Sequence, residues 1–154
     1  MKGDKIRYRE GYKYQLAETY RVYVGIYLPK AIVTEWLVLK DGWLTITRGY
    51  AWDGPSGPTF DTPDSLRGSL VHDALYQLMR LGLLSREYRQ AADDLLHNIC
   101  VEDGMLHMRA ELWEEAVSHF AEAASRAESE PPVLIAPRKS EPATWQFGPE
   151  SLRQ

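Results

Sequence analysis

The sequence is short of several things, and each shortage narrows the field. One cysteine, Cys100, stands in 154 residues. That excludes an intramolecular disulfide framework and points to a reducing cytosol. No apolar run approaches the length that crosses a bilayer, and Met1-Lys2-Gly3-Asp4-Lys5 leads into strand-like sequence without the apolar core of a signal peptide. The expected location is therefore cytoplasmic, with no membrane span. Basic blocks are missing too. The formal net charge of -4 gives no electrostatic reason to expect nucleic acid as a partner. No internal repeat is visible.

What is present is ordinary globular material. Hydrophobic residues make up 44% and aromatics 11%, enough for one domain with a buried core. Residues 5–28 alternate aromatic or β-branched with polar side chains: Ile6, Tyr8, Tyr12, Tyr14, then Tyr20, Val22, Val24, Ile26. This period of two predicts a pair of half-buried strands with a turn near Ala17-Glu18. Ala31 to Lys40 and Trp43 to Arg48 flank Asp41-Gly42, a step that supplies positive φ and predicts a hairpin. The tyrosines fit strand positions and read as sheet residues rather than a stacking surface.

From Gly49 to Asp61 the chain turns loop-like. Thr62 as N-cap, Pro63 at the first helical position and Asp64 in the first turn then announce a helix to about Leu81, stopped by Gly82. Ser85 is the expected cap of a second helix, closed by Gly104. A third is expected near Leu106 to Ala127, with Leu112, Trp113, Ala116, Val117 and Phe120 at helical spacing. Short connections demand antiparallel packing of the first two. After Ala127, Pro131, Pro132, Pro137, Pro142 and Pro149 describe an extended tail. The expected fold class is α+β: a small N-terminal antiparallel sheet with hairpins, a three-helix part packed on it, and a Pro-rich tail. One domain would cover 1–127 (β-rich 1–50, motif loop 50–61, helices 62–127), and the tail 128–154.

The polar residues of the middle third draw attention because they fall on elements that can converge. At about 100° per residue, Asp73 lies beside Leu66, Leu70 and Gln77 on the edge of the first helix's apolar stripe. His72 lies a quarter turn further round with Ser69, Tyr76 and Met79, so His72 and Asp73 address different partners and neither is mid-core. On the second helix Arg89, Asp93, His97 and Cys100 share a flank, while Asp94 points away and is expected to be solvated.

One chemistry fits this set. Asp73, with Asp53 and backbone carbonyls from Asp53 to Gly57, would hold a divalent cation, calcium or zinc. Neutral His72 would take a proton from water, Asp93 would fix its tautomer and Tyr76 would steady Asp93. Trp52, Gly54 and Ser56 would shape the loop, with Arg89 and His97 at the margin. His97, one turn after Asp93, could ligate a metal with it or simply pair with it. The competing reading is a structural network. In that case Asp53 caps a turn, Arg89 and Asp93 form a helical ion pair, and Tyr76 donates a hydrogen bond while its ring packs. Cys100 reads as a small core hydrophobe rather than a nucleophile.

The spacing His72-Asp73-x-x-Tyr76 is similar to the catalytic helix of secreted phospholipases A2, over five positions. A broader resemblance covers about Trp36 to Gly104: the chain resembles a family of short phage and prophage proteins catalogued as a domain of unknown function. Asp53, Gly54, Ser56 and Pro58 match its loop, His72, Asp73, Leu75 and Tyr76 its first helix, and Arg89, Ala92 and Asp93 its second. Trp52, Pro55 and Gly57 depart from the loop pattern. The resemblance implies a phage origin, expression in a host cytoplasm and a fold, but no settled activity. Two expectations follow. The first is a metal-dependent hydrolase of an ester, amide or phosphoester. The second is a non-catalytic phage protein that binds a host or virion protein through its Trp/Tyr-rich sheet and the Trp145–Phe147 tail.

Overall fold

A computed structural model describes residues 6–8, 12–54, 63–106, 109–110, 112, 115, 125–126 and 132–136. Its elements divide into two units. In the smaller, β1 (Ile6–Tyr8) pairs antiparallel with a strand from the Pro-rich stretch, Leu134–Ala136. The larger unit, Gly11–Glu130, carries everything that bears on the candidate site.

Its centre is a four-stranded antiparallel sheet made of β3 (Tyr20–Tyr23), β4 (Ile32–Val33), β5 (Leu37–Lys40) and β6 (Trp43–Ile46), in the order β3-β6-β5-β4. The hairpin expected at Asp41-Gly42 joins β5 to β6, with φ of 51° at Asp41 and 81° at Gly42. Both central residues are left-handed, as a two-residue hairpin turn requires. Strand alternation puts Val22, Leu44, Leu39 and Ile32 in one row across the inner face, with Tyr20, Ile46 and Leu37 in the next. Leu37, Leu39, Leu44 and Ile46 are fully buried in the main core.

Two expectations about strands are corrected. The segments either side of Ala17-Glu18 do not pair with each other. β2 (Tyr14–Gln15) pairs with β7 (Ala51–Trp52), while β3 pairs with β6. Alternation identifies strand-like stretches but not partners, because partner choice rests on long-range burial. The second correction concerns the loop expected from Gly49: it begins with β7. Leu16 N–H donates to the Tyr50 carbonyl and Gly49 N–H to the Leu16 carbonyl, both at 2.8 Å. This zipper anchors the backbone immediately before Asp53.

Helix α1 spans Pro63–Arg80. Thr62, its expected cap, lies outside the described residues. The helix ends where Gly82 adopts φ of 70°, with Gly82 N–H donating to the Met79 carbonyl and Leu83 N–H to the Leu78 carbonyl. That is a Schellman stop, and glycine is the residue that tolerates it. Ser85 caps a single 3-10 turn, Arg86–Tyr88, rather than the α-helix itself, which runs as α2 over Arg89–Glu102. Gly104 closes α2 in the same way as Gly82. Two α-helices are described where three were expected. The third, near Leu106 to Ala127, falls mostly outside the described residues; Arg109, Ala110, Leu112 and Glu115 within it are helical.

Helices α1 and α2 cross closely and run antiparallel. A Cβ added to Gly68 would stand 2.7 Å from Cys100 Sγ and 3.1 Å from the Leu96 carbonyl oxygen. No residue larger than glycine fits there without a shift. Gly68, His72 and Tyr76 recur every four residues, so one face of α1 meets α2 with no bulk at its first contact and polar groups at the next two. Arg67 ties the same end, donating through Nε and Nη2 to Asp103, through Nη2 to Glu102 and through Nη1 to the Tyr20 hydroxyl.

Candidate functional site

The close crossing brings His72 of α1 against Asp93 of α2. His72 Nε2 stands 2.9 Å from Asp93 Oδ1, and the Tyr76 hydroxyl donates to the same oxygen at 2.7 Å. The His72 and Tyr76 rings lie one helical turn apart with centroids at 4.0 Å. Asp93 retains 1% of its surface and Tyr76 likewise 1%. A carboxylate this deeply enclosed must be satisfied by donors, and a phenol and an imidazole N–H supply them.

His72 retains 9% exposure, so the expectation that it avoids the core is corrected. One amphipathic stripe assumes one covered face. Here the buried residues of α1 include Leu70, Val71, Ala74, Leu75 and Leu78 as well as Gly68, His72 and Tyr76, and the helix is covered on more than one side. Burial alone would push the imidazole pKa down, but Asp73 and Asp93 outweigh it and hold it above the ordinary value. For Tyr76, burial and then the Asp93 hydrogen bond push the phenol well above its usual range.

The other ring nitrogen, His72 Nδ1, lies 3.8 Å from Asp73 Oδ1. That is beyond hydrogen-bond length, so Nδ1 keeps its lone pair available when Nε2 carries the proton toward Asp93. Asp73 is partly exposed and stands within electrostatic reach of Asp53. The Asp53 carboxyl is raised by partial burial first and by the Asp73 charge second, against a lowering from Arg80. Asp53 follows directly on β7, where Trp52 is buried and donates from its indole nitrogen to Ser69 Oγ at 3.2 Å. Gly54 continues with φ of 81°.

The fold thus brings together His72, Asp73, Asp93, Tyr76 and, through charge, Asp53. Asp94 is exposed and accepts from Gln90 instead. Arg89 is half-buried and close enough for its charge to act on Tyr76. His97 is half-buried one turn beyond Asp93. Ser56 lies outside the described residues, as do the carbonyls from Pro55 to Gly57. Sequence reasoning missed two contributors, Ser69 and Arg80. Ser69 carried no signal beyond a helical position beside His72, and Arg80 none beyond the turn spacing Asp73, Gln77, Arg80.

Among the described residues, no three His, Cys, Asp or Glu side chains gather closely enough to hold a metal ion by themselves. Asp53 and Asp73 would supply two hard oxygen donors, which suit calcium better than a soft-ligand zinc site. Among the described residues no helix is long and apolar enough to cross a membrane. Compared with protein-family models, curated proteins and solved structures, the chain matches none.

Proposed function

We propose that the protein is a cation-assisted hydrolase with His72 as general base. The observation that carries this reading is the sharing of Asp93 Oδ1 by His72 Nε2 and Tyr76. Asp93 fixes the tautomer with the proton on Nε2, and Tyr76 fixes Asp93. Nδ1 is then the atom that takes a proton from water, on the side where Asp73 lies. Asp53 and Asp73 would hold a divalent cation, which when bound polarises an ester, amide or phosphoester group. The loop, first-helix and second-helix motifs support a phage or prophage origin and action in the host cytoplasm.

Calorimetric titration with calcium, repeated on Asp73→Asn, tests the cation site; heat should be released by the native chain and lost in the variant. Turnover of 4-nitrophenyl butyrate and of bis-4-nitrophenyl phosphate with calcium, compared with His72→Gln, tests the base. Glutamine keeps a donor for Asp93 but cannot act as base, so loss of about 10²–10⁴ in rate is expected. A folded, fully active His72→Gln protein removes the proposal.

A second reading is favoured by the near-complete enclosure of His72 and Asp93. On it the network only locks α1 to α2, and the protein binds a host or virion partner. Exposed Tyr23 and Trp43 on the sheet, with Tyr27 on the connection between β3 and β4, support that alternative; Trp145–Phe147 lies outside the described residues. Calcium-independent folding, with no turnover of either ester, is its expected signature.

A further inference from the structure

Across the outer face of the four-stranded sheet, strand alternation sets Tyr23, Trp43 and Lys40 in one row, with Arg21 and Thr45 in the next. None of the outward positions of β3 to β6 carries an acid. The whole chain is acidic, but basic residues outnumber acidic ones up to Arg48 and the balance reverses beyond it. This face is opposite in sign to the molecule that carries it.

Its aromatic rings are held in place. Trp43 and Tyr23 meet edge to face with centroids 5.4 Å apart, and the Arg21 guanidinium lies 4.4 Å from the Trp43 ring centroid. Tyr27, on the connection from β3 to β4, shares a hydrogen bond of 2.9 Å with the Tyr23 hydroxyl. Both phenol rings stand over Gly42, where a Cβ would lie 2.8 Å from Tyr23 Cε2 and 3.0 Å from Tyr27 Cζ. Tyr14 and Tyr20 pack against the core, yet Tyr23 keeps 50% of its surface open and Tyr27 63%.

The cations define the occupant. Among the described residues no carboxylate pairs with Arg21, and Lys40 has only Asp41 at 3.9 Å, both side chains being largely exposed. A protein partner covering the face would strip water from both cations, which is costly unless each finds an acid. A chain of phosphates carrying unpaired bases meets the charges and the rings together. A duplex offers the same charge but keeps its bases stacked on one another.

We propose that the outer face of the sheet binds single-stranded nucleic acid, with bases stacked on Tyr23 and Tyr27 and phosphates against Arg21 and Lys40. The inference is independent of the hydrolase reading. To the second reading it gives a nucleic-acid ligand at the sheet in place of a protein.

The full chain is titrated into a fluorescein-labelled oligothymidylate of about twelve nucleotides, within the span of such sites, and into a labelled duplex of equal length. Anisotropy should show the single strand bound more tightly. Its log affinity should fall against log salt with a slope of about −1.4, from two phosphate contacts at about −0.7 each. Arg21→Gln should halve that slope. Tyr27→Ala should weaken binding about 5–150-fold, the loss of one stacked base, whereas Tyr27→Phe keeps the ring and should bind nearly as the native chain does. Neither change at so exposed a side chain should move the thermal midpoint. Equal affinity for duplex, or binding indifferent to Tyr27→Ala, reduces the face to a general anion surface and overturns the proposal. Failure of the native chain to bind at low salt overturns it too, and leaves the sheet to a protein partner. Calcium binding and ester turnover are read separately, so none of these results bears on the hydrolase reading.

Discussion

His72 Nε2 and Asp93 Oδ1 meet at 2.9 Å across two helices whose sequence positions differ by 21 residues. The pair depends on Tyr76, which bonds the same oxygen. Tyr76→Phe leaves the ring and removes only the hydroxyl. It should cost about 1.5–3 kcal/mol, the range for a hydrogen bond to a charged group, read as a fall in the urea midpoint at unchanged slope.

The pH dependence of this pair has a definite sign. Asp73 and Asp93 hold the folded imidazole pKa above its ordinary value despite burial. The stabilisation is therefore fully present below about pH 6.5, the unfolded value, and is lost as pH rises through the folded pKa. Activity should run the other way, because a general base must be neutral. Unfolding free energies and the His72 ring resonances across pH check both. Calcium at Asp73 would cancel one of the two charges, so the midpoint should fall when calcium is added.

Gly68 sets the distance over which the pair can form. Alanine there gains helix propensity of about 1 kcal/mol, yet its Cβ would meet Cys100 Sγ at 2.7 Å. The close contact should win, for a net loss of about 1–3 kcal/mol by overpacking. Adding Cys100→Ala should restore part of the loss in a double-mutant cycle.

Cys100 itself should be inert. Burial first, then the charges of Asp103 and Asp64, push its thiol up to about 12. Disulfide-exchange labelling at pH 8 should proceed only as fast as the helices open. Rapid labelling of the native chain would contradict the packing of α1 on α2.

The hairpin offers a test outside the site. Gly42 has φ of 81°, and a Cβ there would stand 2.8 Å from Tyr23 Cε2. Gly42→Ala should destabilise by more than about 1 kcal/mol, since both the conformation and the space oppose it. The thermal midpoint is the measurement.

Local chemistry settled a good deal of this molecule from the sequence alone. Asp41-Gly42 sets a turn wherever it occurs between apolar runs, and Gly82 and Gly104 stop helices because each takes a conformation that side chains resist. Helical spacing also separated Asp93 from Asp94, since a period of 3.6 residues fixes direction without any knowledge of neighbours, but it set His72 apart from Asp73, whereas His72 Nδ1 stands 3.8 Å from Asp73 Oδ1. What lies on the other side of each face is a long-range matter. Only the tertiary structure decided that Tyr14 pairs with Trp52, that a glycine lets two helices close on His72, and that one oxygen of Asp93 serves both His72 and Tyr76. Those contacts join segments distant in the chain, and their energy comes from burial that no single segment can produce.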